Sequence, residues 1–285
     1  MIKVTAPVRI DISAGWSDAD PFRNNFGGAV LNAAINLRVK GTLNGKELTT
    51  SLENVPANSG LGTSGALRTV YLAVANPKLL KDKVELIKRV NIFENAIIGQ
   101  RAGFQDQAAA VFGGVNLWEF RKNGGVGRKK IVKSDVQHLQ DRLLLVFTGD
   151  RHVSANVHED VFEGKGYMKH IPQIDRMKVL ARMMSKHIGN ESKMTKYLKE
   201  TWELQKRLDE RMETKSMKEI QDVCGDSILA GRATGAGGGG CFLIYLKPEM
   251  RRAVTLKINS LKKKHSGLTI LPFEFDYRGI ELEKR

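Results

Sequence analysis

Short stretches of alternating apolar and polar residues, rich in β-branched side chains, occur in the first half of the chain and again near its end. Such alternation is typical of strands. The predicted strands, in chain order, are IKVTAPVRIDIS, AVLNAAINLRVKGTLNG, KELTTSLENV, VNLWEF, DRLLLVFTGD, GCFLIYL and LTILPFEF. The Asn-Gly pair that ends the second strand predicts a tight turn, and FRKNGGVGRKK predicts a hairpin loop between the fourth and fifth strands.

Apolar residues three or four positions apart predict helices between these strands. The pattern favours helices over 63–75 and 81–99 and a short helix beginning near Phe104. From Ser154 to about Cys224 the pattern is almost wholly helical. Runs of strands and runs of helices, without strict alternation of the two, favour an α+β architecture.

The chain has 285 residues, more than the roughly 100 to 200 residues of a usual domain. Neither an internal repeat nor a low-complexity linker divides it. The length therefore predicts one large domain or two closely packed ones. We place the boundary between 1–145 and 146–285, as a packing boundary and not a flexible tether.

Composition places the chain among ordinary globular proteins, with 41% hydrophobic and 27% charged residues. No apolar run approaches the ~20 residues that span a bilayer, and MIKVTAPVRIDI alternates like a strand instead of resembling a signal peptide. The sequence therefore predicts a cytoplasmic protein without a membrane partner. Cys224 and Cys241 form no C-x-x-C pair, which predicts two small buried residues and neither a disulfide nor a zinc site.

The formal net charge is +15, from 46 basic and 31 acidic residues. Part of the excess lies in a segment with helical apolar spacing, at Lys247, Arg251, Arg252, Lys257, Lys262, Lys263 and Lys264. Such a run fits either the solvated face of an amphipathic helix or a binding patch for an anionic partner. Because no aromatic residues alternate with these charges, we expect no nucleic-acid partner.

Two glycine-rich segments point to a phosphorylated ligand. PANSGLGTSGALRTVYLAVA, residues 56–75, opens a predicted helix, and the N-terminus of a helix offers unpaired N–H groups to an anion. ATGAGGGGCF contains four consecutive glycines before a strand, as expected where something approaches the backbone closely or where a strand enters a packed domain interface. Neither segment fits the P-loop pattern or a convincing dinucleotide fingerprint.

Three motifs in order resemble those of the GHMP kinases, the superfamily named for galactokinase, homoserine kinase, mevalonate kinase and phosphomevalonate kinase. They are APVRIDISAGWSDADP, PANSGLGTSGA and ATGAGGGGCF. The resemblance runs nearly end to end. It implies a two-domain α+β fold, with an N-terminal α/β domain like that of ribosomal protein S5 and a ferredoxin-like α+β C-terminal domain.

Finer features resemble the fucokinase and heptose-phosphate 1-kinase branch, namely RIDISAGWSD with FGGAVLNAAI, GFQDQAAAVFGGVN, TGDRHVSANV and LKETWELQKRLDERM. Galactokinases have an acidic residue and a histidine where this chain has Gly15 and Trp16, and mevalonate-type enzymes lack the Gly-Trp-Ser-Asp run. The chain departs from the branch in two respects. It is shorter, chiefly between the Asn-Gly turn and Pro56, and Gly65 replaces the small residue that usually follows the serine pair of the family's motif.

The resemblance assigns ATP to the first glycine-rich segment and Mg²⁺ to two of its neighbours. The nucleotide-binding residues it implies are Ser59, Gly60, Leu61, Gly62, Thr63 and Ser64. Ser64 and Glu94 are implied to hold Mg²⁺, which needs only one or two protein oxygen ligands beside the substrate phosphates. The alternatives are a helix cap made by Thr63 or Ser64, and a surface helix charge at Glu94.

The resemblance also implies a catalytic pair, Asp106 as the base that accepts the hydroxyl proton and Arg9 as a fixed cation beside it. Asp106 would otherwise complete a helix dipole, and Arg9 would otherwise pair with Asp11. Asp18 corresponds to the position that binds sugar hydroxyls, while Trp16 either stacks on the sugar or fills core.

Gly237 and Gly238 are implied to shape the floor of the substrate site, by letting the backbone of the C-terminal domain approach the phosphate and acceptor. The resemblance thus implies an ATP-dependent, Mg²⁺-requiring kinase, which we expect to be a monomer or a homodimer. It would phosphorylate the anomeric hydroxyl of a sugar or sugar phosphate. The alternatives are a kinase of the same fold acting on a mevalonate-like hydroxy acid and, remotely, a non-enzymatic nucleic-acid-binding protein.

Overall fold

The computed structural model describes residues 1–150, 157, 160–162 and 164–284. Residues 151–156 of the TGDRHVSANV segment, where the predicted helical region begins, lie outside the described part. The strands are β1 Ile2–Asp11, β2 Gly28–Asn44, β3 Glu47–Glu53, β4 Val115–Phe120, β5 Val126–Lys130, β6 Leu143–Phe147, β7 Ala230–Ala233, β8 Cys241–Tyr245, β9 Thr269–Leu271 and β10 Glu281–Lys284. The α-helices are α1 Phe22–Phe26, α2 Thr63–Ala75, α3 Lys83–Ile92, α4 Gln105–Phe112, α5 Lys133–Arg142, α6 Gly164–Lys186, α7 Glu191–Lys206, α8 Lys215–Cys224 and α9 Arg251–Ser260.

The strands form two antiparallel sheets, which confirms the predicted α+β class. The first has the order β10-β1-β2-β4-β5, and β3 pairs with the second half of β2. The predicted Asn-Gly turn joins β2 to β3, with Gly45 in the left-handed region at φ 61°. The second sheet has the order β7-β8-β6-β9. Because β10 pairs with β1, the first sheet contains residues from both ends of the chain, and the proposed boundary near residue 145 stays a prediction.

Two clusters of buried apolar side chains form the core. The first joins β1, β2 and β4 to α2, α3, α4 and α6, and the second lies around the second sheet, where Trp202 meets Phe242 edge to face at 6.0 Å. Both cysteines are free and buried, as predicted. Within the described ranges, no helix is both long enough and apolar enough to span a bilayer.

Two local predictions are only partly right. The segment FRKNGGVGRKK contains a hairpin loop, residues 121–125, but the loop joins β4 to β5 and not to β6, and helix α5 lies between β5 and β6. β5 is a sheet edge whose last three residues are all exposed, so it shows no alternation. Helix α5 buries only Val136 and Leu139, which is too little for a helical period to be visible. In place of one helix over 81–99, the structure has helix α3, which ends at Ile92, and a π-helical turn that follows it, Phe93–Ile97.

The basic segment near α9 is partly used inside the molecule. Arg251 donates to the carbonyl oxygens of Asp141 and Leu143, and Lys257 donates to Ser227 Oγ at 2.8 Å. Both of these side chains are half-buried. The remaining basic side chains of the segment are exposed, and Lys264 among them pairs with Glu219; they are Lys247, Arg252, Lys262, Lys263 and Lys264. Val254 and Ile258 are fully buried on the opposite side. This is the arrangement of a solvated outer face on an amphipathic helix.

Candidate active site

A cavity of about 300 Å³ lies where the N-termini of α2 and α4 meet the π-helical turn and the second glycine-rich segment. Of the predicted site residues, those in its lining are Arg9, Trp16, Asp18, Gly60, Gly62, Thr63, Ser64, Glu94 and Asp106. The side chains of Ser59 and Leu61 are fully buried instead. The structure therefore brings together in one cavity Arg9 and Asp106, which lie 97 positions apart in the sequence.

Arg9 and Asp106 form an ion pair at the floor of this cavity. Arg9 extends from β1, with its side chain only 5% exposed, and its Nε donates to Asp106 Oδ1 at 2.8 Å. Its Nη1 donates to the carbonyl oxygen of Gly60 at 2.6 Å. The alternative pairing of Arg9 with Asp11 is not observed, since Asp11 Oδ2 accepts the N–H of Gly15 at 2.7 Å.

The glycine before α2 lets the helix start directly above this ion pair. Gly62 caps α2 in the left-handed region, at φ 70°. A Cβ atom there would lie 2.9 Å from Asp106 Cγ and 3.2 Å from Arg9 Cζ. The first backbone bond of the helix runs from Ala66 N–H to the carbonyl oxygen of Gly62, so the helix leaves the preceding three N–H groups available. Because Gly62 is the cap, the alternative role of Thr63 as a cap is not observed.

The two glycine-rich segments pack against each other. The N–H of Cys241 donates to the carbonyl oxygen of Ser59 at 2.8 Å. A Cβ atom at Gly60 would lie 2.7 Å from the Thr234 carbonyl oxygen, and one at Gly235 would lie 2.7 Å from the Gly60 carbonyl oxygen. The backbone that lies close to the ATGAGGGGCF segment is therefore that of the first glycine-rich segment. This fits the interpretation of the glycines as the entry to a strand at a packed interface.

Gly237 and Gly238 lie at the far side of that run. A Cβ atom at Gly237 would lie 3.1 Å from the Met212 carbonyl oxygen, and the N–H of Gly238 donates to the same oxygen at 2.9 Å. Neither residue is in the cavity lining, whereas Gly235 and Ala236 are. The structure thus places the neighbouring residues, and not these two, beside the cavity.

Asp18 is buried at the N-terminus of α4. Its Oδ2 accepts the N–H groups of Phe104 at 2.8 Å and Gln105 at 2.9 Å. Its Oδ1 is buried and has no hydrogen-bond partner within the described residues. Burial raises the pKa of Asp18 to about 7, although these backbone donors act in the opposite direction. A carboxyl oxygen in a cavity lining without a partner is suited to a ligand hydroxyl. Trp16 beside it is 1% exposed and packs on Phe162, with 5.8 Å between ring centroids.

Glu94 is buried by the π-helical turn, which contradicts its alternative interpretation as a surface charge. The side chain is 3% exposed, and Oε1 accepts a hydrogen bond from Arg68 Nη1 at 2.6 Å. Its Oε2 is buried and makes no hydrogen bond in the part of the chain described. Burial raises the pKa of Glu94 to about 7, while the hydrogen bond from Arg68 acts against this. π-helical turns are frequent at functional sites.

The residues present fit a magnesium ion. Glu94 offers one unpaired oxygen, and Ser64 is exposed in the same cavity lining. Among the described residues, no three His, Cys, Asp or Glu side chains form a cluster that could hold a metal by themselves. Mg²⁺ does not require such a cluster, since it is bound through one or two carboxylates plus substrate phosphates and waters.

Two buried or half-buried arginines were not predicted from the sequence, Arg68 in the cavity lining and Arg232 outside it. Arg68 pairs with Glu94, and it lies four residues after Ser64, a helical spacing that could have revealed it. Arg232 is fully buried, donates to the carbonyl oxygen of Asp11 and to Gln205 Oε1, and has Nη2 3.8 Å from Asp11 Oδ2. Nothing in its local sequence distinguishes Arg232 from an ordinary surface arginine.

The part of the chain that contributes most of this cavity matches a known family of kinases. Residues 28–114 match the family described as GHMP kinases N terminal domain. Residues 28–114 are therefore similar to a GHMP kinase N-terminal domain, which confirms the resemblance drawn from the motifs.

The particular relatives are sugar kinases. The chain is 28% identical over 241 residues to L-fucokinase/L-fucose-1-P guanylyltransferase of Bacteroides fragilis, which covers 80% of this chain and 25% of that protein. It is 24% identical over 339 aligned positions to D-glycero-alpha-D-manno-heptose 7-phosphate kinase of Campylobacter jejuni, covering 98% of both chains. It thus spans a quarter of the first relative and nearly all of the second.

A solved structure has the same fold over the whole chain. It is a D-glycero-D-manno-heptose 1-phosphate kinase from Bacteroides thetaiotaomicron, with a TM-score of 0.73 and 21% identity, covering 100% of this chain and 99% of that one. The predicted α+β fold is therefore confirmed over the whole chain.

Proposed function

We propose that this protein is an ATP-dependent, Mg²⁺-requiring kinase that phosphorylates the anomeric hydroxyl of a sugar or sugar phosphate. The observation that carries the proposal is the position of the Arg9–Asp106 ion pair directly beneath Gly62, at the start of α2. A carboxylate able to accept a proton thus lies next to a helix N-terminus able to bind phosphate. Phosphoryl transfer needs mainly this positioning, together with charge neutralisation.

Asp106 accepts the proton of the attacking hydroxyl. Arg9 holds one of its carboxylate oxygens, Oδ1, and is itself held by the carbonyl oxygen of Gly60. The carboxylate therefore has a fixed orientation, and Oδ2 is left for the acceptor. The Arg9 guanidinium also places positive charge where the transferred phosphoryl group develops negative charge.

The first turn of α2 binds the nucleotide phosphates through its available N–H groups. Ser64 and Glu94 would hold Mg²⁺, through the hydroxyl and through Oε2, and the bound ion would supply positive charge that neutralises the phosphates. On the acceptor side, Asp18 Oδ1 binds a sugar hydroxyl, while Trp16, almost fully buried against Phe162, supports the cavity wall from behind. Gly235 and Ala236, which line the cavity, take the role first assigned to Gly237 and Gly238.

The relatives support a sugar as acceptor. The Bacteroides fragilis protein is named for a fucokinase joined to an activity on L-fucose 1-phosphate, and the Campylobacter jejuni protein for a heptose 7-phosphate kinase. The first name supports the anomeric position, and the second supports a sugar that already carries a phosphate. A monomer or homodimer in the cytoplasm, with domains 1–145 and 146–285, remains part of the proposal.

ADP release with Mg-ATP tests the proposal, across L-fucose, mannose, heptose 7-phosphate, other hexoses and pentoses, and mevalonate. Asp106→Asn should lower turnover by about 10²- to 10⁴-fold. Asp135→Asn is a matched control, because Asp135 is also in the first turn of a helix but is exposed. Phosphorus NMR of the product shows whether the phosphate is on the anomeric oxygen.

Turnover with one sugar, lost in Asp106→Asn and kept in Asp135→Asn, supports the proposal and identifies the acceptor. Turnover with mevalonate alone shows that the acceptor is a hydroxy acid and rejects the sugar. A protein that releases no ADP with any acceptor, but binds RNA or DNA with steep salt dependence, would be the non-enzymatic alternative.

A further inference from the structure

Arg68 connects three parts of the cavity wall. It lies on α2 four residues after Ser64, so the two side chains share a helix face. Its side chain is 17% exposed, and Nη1 donates to Glu94 Oε1 at 2.6 Å. Nη2 donates to Gln100 Oε1 at 2.5 Å. The guanidinium thus joins the phosphate-facing helix to the π-helical turn and to the loop that follows it.

The geometry of this contact leaves one oxygen of Glu94 for another ligand. An arginine facing a carboxylate often binds both oxygens with parallel hydrogen bonds. Here the second terminal nitrogen of Arg68 donates to Gln100, so Arg68 donates only to Oε1 of Glu94. Oε2 stays buried and without a hydrogen-bond partner within the described ranges, on a residue of the cavity lining.

We propose that Arg68, itself oriented by Gln100, is a positioning residue for the metal, which fixes Glu94 with Oε2 free for Mg²⁺. The inference rests on the proposed function. The arginine acts through Glu94. Its planar guanidinium group donates to two acceptors in fixed directions, and a lysine ammonium group cannot reproduce this geometry. Residues that orient a metal ligand typically contribute about 10- to 100-fold in metal affinity.

Binding of Mn²⁺, a paramagnetic substitute for Mg²⁺, tests this without turnover. The protein is saturated with a non-hydrolysable ATP analogue, and bound Mn²⁺ is followed by electron paramagnetic resonance. Arg68→Met should weaken Mn²⁺ binding about 10- to 100-fold, and Gln100→Leu should weaken it in the same direction. Arg89→Met is the matched control, since Arg89 also pairs with a glutamate, Glu85, but is 56% exposed. Its Mn²⁺ affinity should equal that of the wild type.

Affinity for the analogue in EDTA separates positioning from direct phosphate contact. If Arg68 acts through Glu94, Arg68→Met should bind the metal-free analogue as the wild type does. The double variant Arg68→Met with Glu94→Gln should then bind Mn²⁺ no more weakly than Glu94→Gln alone. An equal loss with and without metal would show that the arginine contacts the phosphates itself, and would overturn the proposal.

Two further variants keep the proposal testable if Arg68→Met does not fold. Arg68→Lys retains the charge but not the fork, and Gln100→Leu leaves the arginine in place. Wild-type Mn²⁺ affinity in both variants would overturn the proposal. A wild-type protein that binds the analogue neither with nor without metal would reject the proposed function itself. Normal wild-type binding, unchanged in the Arg68 variants, would reject only this inference.

Discussion

A Cβ atom at Gly62 would lie 2.9 Å from Cγ of Asp106. The absence of a side chain at the helix cap is therefore what allows a carboxylate to lie against the start of α2. The same glycine has φ 70°, a conformation that other residues adopt at a cost. The close approach of the proposed base to the proposed phosphate site thus depends on one hydrogen atom in place of a methyl group.

Gly62→Ala should lower kcat/KM by about 100-fold or more, because a displacement of the carboxylate by about 1 Å costs that much in a positioned reaction. ADP release at varied acceptor concentration measures it. Gly45→Ala is the control, since Gly45 has φ 61° but a Cβ atom there would have no neighbour within 4 Å. If both variants keep wild-type activity, Gly62 has no positioning role.

Arg9→Lys should lower kcat more than it raises KM for the sugar. Arg9 binds Asp106 and the Gly60 carbonyl oxygen at once, and an ammonium on a flexible stem cannot maintain both directions. Losing one hydrogen bond to a charged group costs about 1.5–3 kcal/mol, or roughly 10- to 100-fold in kcat. Steady-state kinetics with Arg278→Lys as the exposed control checks this, and a pure KM effect would contradict it.

Asp18→Asn should make the free energy of unfolding less dependent on pH between about 4 and 7. Burial raises the pKa of Asp18 from 3.8 to about 7, so between these values the folded state holds a proton that the unfolded state has lost. The free energy of unfolding therefore falls as pH rises through this window, by about 4 kcal/mol at most. Asparagine keeps an acceptor for the two backbone N–H groups and cannot ionise.

Urea denaturation at pH 5 and pH 8 measures the effect. From pH 5 to pH 8, the free energy of unfolding should fall more in the wild type than in Asp18→Asn. The variant should also bind the sugar more weakly. Equal changes in both proteins would show that Asp18 titrates normally in the folded state.

Arg232→Met should destabilise the fold by about 3–5 kcal/mol, because it leaves the buried carboxylate of Asp11 without its cation. Arg232 is 1% exposed, and its Nη2 lies 3.8 Å from Asp11 Oδ2. Arg182→Met removes an exposed pair with Glu119 and should cost less than about 1 kcal/mol. Urea denaturation of the two variants at pH 7 compares them directly, and similar losses would contradict the prediction.

The sequence was most informative where a local signal decides the structure. Helix α2 has the predicted bounds, Thr63–Ala75, because glycine and small residues precede a clear apolar period. The turn at Gly45 follows in the same way from an Asn-Gly pair. The α+β class followed from the order of such local elements.

The remaining features depend on contacts between distant segments. The burial of Glu94 results from a π-helical turn, which no local pattern in IFENAIIGQ indicates. Gly235 and Gly237 are equivalent in the sequence, yet only Gly235 lines the cavity, because its neighbour is Gly60 while that of Gly237 is Met212. The partner of Arg232 comes from the other sheet. Such assignments require the tertiary structure.

The pairing of β10 with β1 bears on the order of synthesis. Thr5 pairs with Glu281, and Arg9 extends from the same strand β1. During translation, residues 2–5 of β1 thus stay without this neighbour until Glu281–Lys284 have left the ribosome. An unpaired strand edge is a template for association with other chains. Before β10 is available, a nascent chain of this protein would therefore expose this part of β1 to association with other chains.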